Sequence, residues 1–225
     1  MSSGPEPVSI QVNATIRVSA LMQQPPTARV CLVLAHGAGA GMTHPFMAQI
    51  AQDLATGGVA TLRYQFPYME RGGKRPDAAA LCHATVRAAV LKARELMPAA
   101  ALIAGGKSFG GRMTSQAQAA SPLTGVRGLA FLGFPLHAAN RPSPERGEHL
   151  LQVRIPMLFL QGTRDALADL TMMRRVVKRL GRLATLKALS GADHSFHVLR
   201  RSGRSDAQVR AEILDSLIDW IATVK

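Results

Sequence analysis

The segment from Ala101 to Arg112, ALIAGGKSFGGR, constrains the fold of this chain more than any other. Its four opening apolar residues predict a strand, and the residues from Arg112 to Ala120 predict a helix. Ser108 lies at the apex of the sharp turn between them, with Gly106 and Gly110 two positions before and after it. Such a turn strains its central residue, so both flanking positions must be small. The pattern favours a nucleophile elbow, and a serine that only terminates a strand is the alternative.

Short apolar runs alternate with helical patterns along the rest of the chain. The runs predict buried strands at Val30–Ala35 and Pro156–Leu160, and further strands at Val59–Tyr64, Val126–Leu136 and Ala184–Leu189. Helices are predicted at Pro45–Ala55, Ala78–Met97, Ala168–Leu180 and Ser205–Val224, the last with Trp220 packed on the sheet. Residues 8–20 alternate as an edge strand or hairpin would. This order predicts an α/β fold, a doubly wound and mostly parallel sheet.

The polar stretch from His137 to Arg154 separates two predicted strands. Many serine hydrolases carry a helical cap domain at this point of the chain. The stretch has only about 18 residues. We therefore expect no cap domain, and we expect residues 1–225 to form a single domain.

The chain carries 27 Lys+Arg against 14 Asp+Glu, a formal net charge of +13. These basic residues are spread along the chain and aromatic residues are only 4% of it, so we expect a solvated surface and no nucleic-acid partner. No apolar run approaches the ~20 residues that cross a membrane, so we expect no membrane partner. The first residues do not resemble a secretory signal. With only Cys31 and Cys82, a disulfide framework is not expected, and a cytoplasmic location follows.

A glycine-rich segment, HGAGAG, follows the strand that ends at Ala35. It fits neither of the common phosphate-loop patterns. It fits the loop that donates one amide of an oxyanion hole, which we assign to Ala38, with the amide of Phe109 as the second donor. His36 and His44 are disfavoured as metal ligands, because no Asp, Glu or Cys clusters with them at useful spacing.

Serine is a poor nucleophile unless a base and an acid activate it. Ser108, Asp165 and His194 occur in the order serine, acid, histidine, and each directly follows a predicted strand. Parallel strands bring such positions to one edge of the sheet. Asp165 is alternatively a turn residue or helix cap, with Asp169 or Asp193 as the rival acid. His194 with His197 is a metal pair in the alternative interpretation; we expect neither a metal nor a cofactor.

The long loop Gln65–Asp77 is a candidate wall of the substrate pocket, and an ordinary solvated loop is the equal alternative. Tyr68 and Arg75 in this loop, and Lys107 beside the serine, are candidate substrate-binding residues. Asp77 is the expected N-cap of the helix that follows. A site without a cap buries little of a long acyl chain, so we expect short acyl groups as substrates.

Seven motifs between about residues 30 and 200 are specific in combination: HGAGAGMTHPFM, FPYMERGGKRPD, GGKSFGGRMTS, FPLH, RGEHL, QGTRD and GADHSF. Through them the chain resembles the cap-less, dienelactone-hydrolase-like branch of the α/β-hydrolase superfamily. More narrowly it is similar to the group that includes a subunit of the human non-specific-lethal chromatin complex and a small testis-expressed relative. The resemblance implies that the family's serine, acid and histidine fall on Ser108, Asp165 and His194. Phe109 stands where such proteins commonly carry methionine, which changes no catalytic group because that position acts through its amide.

Two functions are compatible with these patterns. The first is a serine hydrolase that cleaves small esters or related acyl compounds through an acyl-enzyme. The second is a non-catalytic scaffold that keeps the fold and binds a protein or anionic partner through its basic surface. An intact set of serine, acid and histidine favours the hydrolase. Neither the substrate nor the oligomeric state follows from the sequence.

Overall fold

The computed structural model describes residues 4–224, and within this range eight strands form one sheet. The strands are β1 (Glu6–Gln11), β2 (Arg17–Gln23), β3 (Val30–Ala35), β4 (Ala60–Tyr64), β5 (Ala101–Lys107), β6 (Val126–Leu132), β7 (Met157–Gly162) and β8 (Ala184–Leu189). The helices are α1 (Pro45–Thr56), α2 (Pro67–Glu70), α3 (Ala79–Leu96), α4 (Phe109–Ala120), α5 (Leu170–Leu180) and α6 (Asp206–Val224).

The strand order is β1-β2-β4-β3-β5-β6-β7-β8. Strands β3 to β8 are parallel, whereas the hairpin β1–β2 lies antiparallel at one edge. The predicted doubly wound sheet and its edge hairpin are therefore confirmed. Strand β2 is longer than predicted, because its pairing with β4 continues to Gln23 opposite Thr61.

Apolar layers cover both faces of the sheet. Helices α1 and α6 pack on one face, and α3, α4 and α5 pack on the other. Trp220 of α6 packs over β6 as predicted: a Cβ on Gly128 would lie 2.7 Å from its ring. Strand β3 is buried along its whole length, as its uninterrupted apolar run predicts.

The structure corrects three details of the predicted elements. Strand β6 ends at Leu132 and not at Leu136, because Gly133 turns the chain out of the sheet with φ +70°. The loop after β4 contains the four-residue helix α2, which was not predicted. Asp77 does not cap α3: its carboxylate accepts hydrogen bonds from the Tyr68 amide at 2.7 Å and from Arg71 at 2.5 Å, and so braces the loop instead.

The segment between β6 and β7 forms a short 3-10 helix, Glu145–Gln152, which lies against α4. This confirms the fold without a cap domain. Within residues 4–224, none of the helices has the length and apolar character needed to cross a bilayer.

Candidate active site

Strand β5 runs into α4 through a turn of a single residue, Ser108. Its backbone has φ +51° and ψ −116°, a conformation that L residues rarely adopt. The turn is pressed against the end of β3: a Cβ on Gly106 would lie 2.5 Å from the Ala35 carbonyl oxygen, and one on Gly110 would lie 2.5 Å from that of His36. Both positions therefore require glycine, for the steric reason that the sequence pattern predicts.

Three side chains from separate loops form a hydrogen-bonded chain beside this turn. His194 Nε2 lies 2.8 Å from Ser108 Oγ, and His194 Nδ1 lies 2.7 Å from Asp165 Oδ2. The Asp165 side chain is 0% exposed and the His194 side chain is 23% exposed, so the imidazole alone of this pair reaches solvent. Because Nδ1 faces a carboxylate, it carries the ring proton, and Nε2 accepts from the serine hydroxyl.

The carboxylate of Asp165 is held by two further donors. Its Oδ2 accepts from Gln161 Nε2 at 2.5 Å, and its Oδ1 accepts from the Leu167 amide at 2.8 Å. Gln161 is itself buried, and its Oε1 accepts from the Phe134 amide at 3.0 Å. Sequence reasoning missed Gln161, although a glutamine at the end of the apolar run MLFL was a visible signal.

The rival acids contact other groups. Asp169 caps α5, with its Oδ1 accepting from the Met172 amide at 2.8 Å. Asp193 turns back into its own loop and accepts from the amides of Ser195 and His197, at 2.8 and 3.0 Å. Of the three candidate acids, Asp165 is the one whose carboxylate bonds to His194.

The two histidine pairs that were considered as alternative metal ligands and disfavoured, His36 with His44 and His194 with His197, bond to other groups. The His197 imidazole bonds to Asp206 at 2.8 Å, and this contact raises the pKa of His197. His44 caps α1, where its Nδ1 accepts from the Phe46 amide. Among residues 4–224, no three His, Cys, Asp or Glu side chains are arranged to hold a metal ion.

The glycine-rich loop after β3 passes beside the nucleophile, since a Cβ on Gly37 would lie 3.8 Å from Ser108 Cβ. His36 braces this loop: its Nδ1 donates to the Gly37 carbonyl at 2.7 Å, and its Nε2 accepts from the Phe66 amide at 3.1 Å. These two bonds describe a neutral imidazole, and burial accordingly lowers the pKa of His36. His36 is thus a support of the loop.

Two backbone amides near Ser108 remain without partners. In the described part of the chain, neither the Ala38 amide nor the Phe109 amide donates to a protein acceptor. Amides that flank a nucleophile and lack acceptors are suited to binding an oxyanion.

A cavity of about 360 Å³ opens over Ser108 and His194. Its walls are mainly apolar and include Phe46, Met47 and Leu167. A larger groove of about 580 Å³ lies between β1 and α3, and it contains none of the site residues predicted from the sequence. The chemistry of the smaller cavity makes it the candidate substrate site.

The structure brings only one of the three candidate substrate-binding residues to this cavity. Lys107 lines it, with its ammonium donating to the His194 carbonyl oxygen at 2.6 Å. Tyr68 is buried behind the glycine-rich loop, where its hydroxyl accepts from the Gly39 amide at 3.3 Å. Arg75 is exposed and is not among the lining residues. Tyr68 therefore supports the loop, and Arg75 lies on the outer surface.

Comparisons with known proteins agree with this architecture. The family model for an alpha/beta hydrolase domain matches residues 28–222. A serine hydrolase without a lid from Xanthomonas campestris is similar at 19% identity, with a TM-score of 0.75, over 98% of this chain and 96% of that one. A dienelactone hydrolase from Anabaena variabilis is similar at 19% identity, with a TM-score of 0.77, over 99% of both chains. The esterase domain of a Rhodothermus marinus protein is similar at 17% identity, with a TM-score of 0.73, over 97% of this chain and 98% of that one.

Proposed function

Since this chain belongs to the alpha/beta hydrolase domain family, we propose that it is a serine hydrolase that cleaves short-chain esters or related acyl compounds. The observation that carries the proposal is the chain of hydrogen bonds from Ser108 through His194 to Asp165. A serine, a base and a buried acid in this geometry are the parts that acyl transfer requires.

In the proposed mechanism, Ser108 Oγ attacks the substrate carbonyl and its proton passes to His194 Nε2. The charge that develops on the carbonyl oxygen is bound by the free amides of Ala38 and Phe109. Asp165 stabilises the imidazolium through Nδ1. The proton on Nε2 then passes to the leaving alkoxide, which departs as the alcohol and leaves an ester of Ser108.

Water completes the cycle by the same route. His194 takes a proton from a water molecule, and the resulting hydroxide attacks the acyl-enzyme carbonyl. The second tetrahedral intermediate collapses, Ser108 recovers the proton from His194, and the carboxylic acid leaves. Each proton that His194 accepts is returned within the same half-reaction, so no cofactor is needed for balance.

The shape of the cavity supports a small acyl group. Ligand sites generally range from ~300 to ~1,000 Å³, and the cavity of about 360 Å³ is near the lower end. No cap domain encloses a longer chain, and each buried CH₂ contributes only ~0.8 kcal/mol. Its mainly apolar walls favour an uncharged acyl group over a polar one.

We test the proposal with Ser108→Ala, and with Ser195→Ala as the matched control. Ser195 lines the same cavity beside the base, but its hydroxyl has no role in the mechanism. We expect Ser108→Ala to lose fluorophosphonate labelling and at least ~10⁴-fold in the hydrolysis of p-nitrophenyl acetate. Its melting temperature should change little, because one hydroxyl is removed and the backbone strain stays the same. Ser195→Ala should keep both activities.

Retention of hydrolysis within tenfold by Ser108→Ala, or failure of the wild type to label, would contradict the hydrolase proposal. The latter result would favour a non-catalytic scaffold.

One surface supports that second candidate: helix α5 exposes Arg174, Arg175 and Lys178 and has no acidic residue between Leu170 and Leu180. The narrower similarity to the chromatin-complex group belongs to this second proposal.

The domain organisation and location are parts of the same proposal. We take residues 1–225 as one catalytic domain, supported by the two apolar layers that cover a single sheet. We place it in the cytoplasm, supported by the two buried free thiols of Cys31 and Cys82.

A further inference from the structure

Lys107 is the last residue of β5 and directly precedes the nucleophile. Its side chain is largely buried and crosses from β5 to the loop after β8, which carries His194. There the ammonium donates to the backbone carbonyl oxygen of His194 at 2.6 Å and lies 5.2 Å from the centre of the Phe196 ring. Both contacts suit a cation: a carbonyl dipole on one side and an aromatic face on the other.

The surrounding backbone leaves space for this lysine. A Cβ on Gly37 would lie 3.6 Å from Lys107 Cγ, and a Cβ on Gly133 would lie 3.1 Å from its Nζ. Within residues 4–224 Lys107 makes no salt bridge, so its charge is partly buried without an ion-pair partner. A buried charge is costly, and an apolar side chain of the same length would avoid that cost. The lysine is therefore better explained by its contacts with the His194 loop than by packing.

The His194 loop is closed on itself by local bonds. The Asp193 amide donates to the His197 carbonyl at 3.0 Å, and the Phe196 amide donates to the Asp193 carbonyl at 3.0 Å. These bonds shape the loop but do not attach it to the strand that carries Ser108. The bond from Lys107 does so, one residue from the nucleophile.

We propose that Lys107 is a positioning residue for His194, whose ammonium ties the loop of the base to the strand of the nucleophile and so keeps Nε2 within hydrogen-bond distance of Ser108 Oγ. This inference rests on the proposed serine-hydrolase function. The distance between base and nucleophile matters because a misplacement of about 1 Å can reduce a rate by about 10²-fold.

The charge state of Lys107 supplies an independent readout. Burial lowers the pKa of Lys107 to about 8, although the carboxylates of Asp165 and Asp193 act to raise it. The loop that the amine contacts carries three titratable side chains, those of Asp193, His194 and His197. Above this pH the amine loses its charge and the bond to the His194 carbonyl weakens. Activity that depends on the ammonium must fall as the pH rises through about 8.

The test compares Lys107→Met and Lys107→Gln with Lys92→Met as the surface control. Methionine keeps the unbranched chain up to the position of Cε and removes the donor, glutamine ends at that same position in a neutral NH₂ donor, and Lys92 lies on α3, where it pairs with Glu95. We expect Lys107→Met to lower kcat for p-nitrophenyl acetate by about 10- to 100-fold, with KM within threefold, and to slow fluorophosphonate labelling equally. Lys107→Gln should recover part of kcat, and Lys92→Met should match the wild type.

The pH profile of kcat completes the test. The wild type should lose activity above about pH 8, whereas Lys107→Gln should lack this decline. A wild-type kcat that stays constant to pH 9.5 overturns the inference even if both variants fail to fold. It is also overturned if Lys107→Met keeps kcat within twofold, or if that variant raises KM only for a carboxylate-bearing ester, which would make the lysine a substrate contact. A wild type that neither labels nor hydrolyses refutes the proposed function instead.

Discussion

The assignment of the acid is open to a direct test, because Asp165 and Asp169 lie four residues apart and contact different groups. Asp165 accepts from His194 Nδ1, from Gln161 and from the Leu167 amide, so all its bonds require acceptor oxygens. Asparagine supplies one oxygen and one NH₂ group. In Asp165→Asn, at least one of these contacts therefore becomes donor against donor, and two do so where the NH₂ group replaces Oδ2.

The expected loss follows from the tautomer. When the NH₂ group replaces Oδ2, it faces Nδ1 of His194 and stabilises the ring form that carries its proton on Nε2. That form cannot accept the proton of Ser108. An acid-to-amide change of this kind costs about 10⁴-fold in kcat, which corresponds to about 5.4 kcal/mol of transition-state stabilisation. The unpaired donors also lower the free energy of unfolding by about 1–3 kcal/mol.

Asp169 should show the opposite pattern. Its carboxylate caps α5 through the Met172 amide, which an asparagine also does, so Asp169→Asn should keep activity and stability. Asp169→Ala removes the cap and should cost about 1 kcal/mol, or about 2–4 °C in melting temperature for a chain of this size, again without loss of kcat. Initial rates with p-nitrophenyl acetate and thermal unfolding of all three variants provide the measurement. Equal losses of activity in Asp165→Asn and Asp169→Asn would show that the acid has been misassigned.

Three further predictions follow from the site. Ser108→Gly should have a higher melting temperature than Ser108→Ala, which is equally inactive. Glycine relieves about 1–3 kcal/mol of backbone strain at φ +51° and loses only about 0.5–1 kcal/mol through backbone entropy. A lower melting temperature for Ser108→Gly would contradict the strained turn. p-Nitrophenyl acetate and butyrate should be hydrolysed with higher kcat/KM than the palmitate ester, and a preference for palmitate would refute the small open site. The folded-state pKa of Lys107, about 8, lies below its ordinary value of 10.5, so between these pH values the unfolded state binds more protons than the folded state. The free energy of unfolding of the wild type should therefore rise relative to that of Lys107→Met as the pH rises from 8 to 10.5. Chemical denaturation across this range measures it, and an equal pH dependence in both proteins would show that the amine is not buried.

The fold was predictable because its central strands are buried on both faces. Val30–Ala35 was located to the residue, since an uninterrupted apolar run in an α/β pattern has few other interpretations. The edge strand Ala184–Leu189 was also located to the residue, although Thr185 and Lys187 interrupt its apolar residues and Thr185 is exposed. The main error in a strand boundary occurs where the residues remain apolar although the backbone has already turned out of the sheet. Residues after Leu132 stay apolar although Gly133 has already left the sheet, so periodicity alone extended β6 too far.

The candidate site was predictable to the extent that topology determines it. Parallel strands bring their carboxyl ends together, so residues in the loops that follow β5, β7 and β8 become neighbours whatever their side chains do. What topology does not determine is the direction of a side chain within a loop. Asp77 and Tyr68 both turn inward to brace loops, and the sequence pattern contains nothing that distinguishes these orientations from the predicted ones.

The loops of the site are supported by the same kind of contact. This contact explains why the supporting residues of the site were harder to predict than the reactive ones. Each loop is held by a buried or partly buried polar side chain: His36 holds the glycine-rich loop, Gln161 holds Asp165, and Lys107 holds the carbonyl of His194. The cost of desolvating these groups is offset only by their hydrogen bonds to the backbone or to one another. Their contribution to stability therefore depends on distances in the folded structure, which the sequence does not reveal. A change in any of them leaves Ser108 in place but loosens the geometry around it. Variants at these positions should therefore lose kcat before they lose the fold.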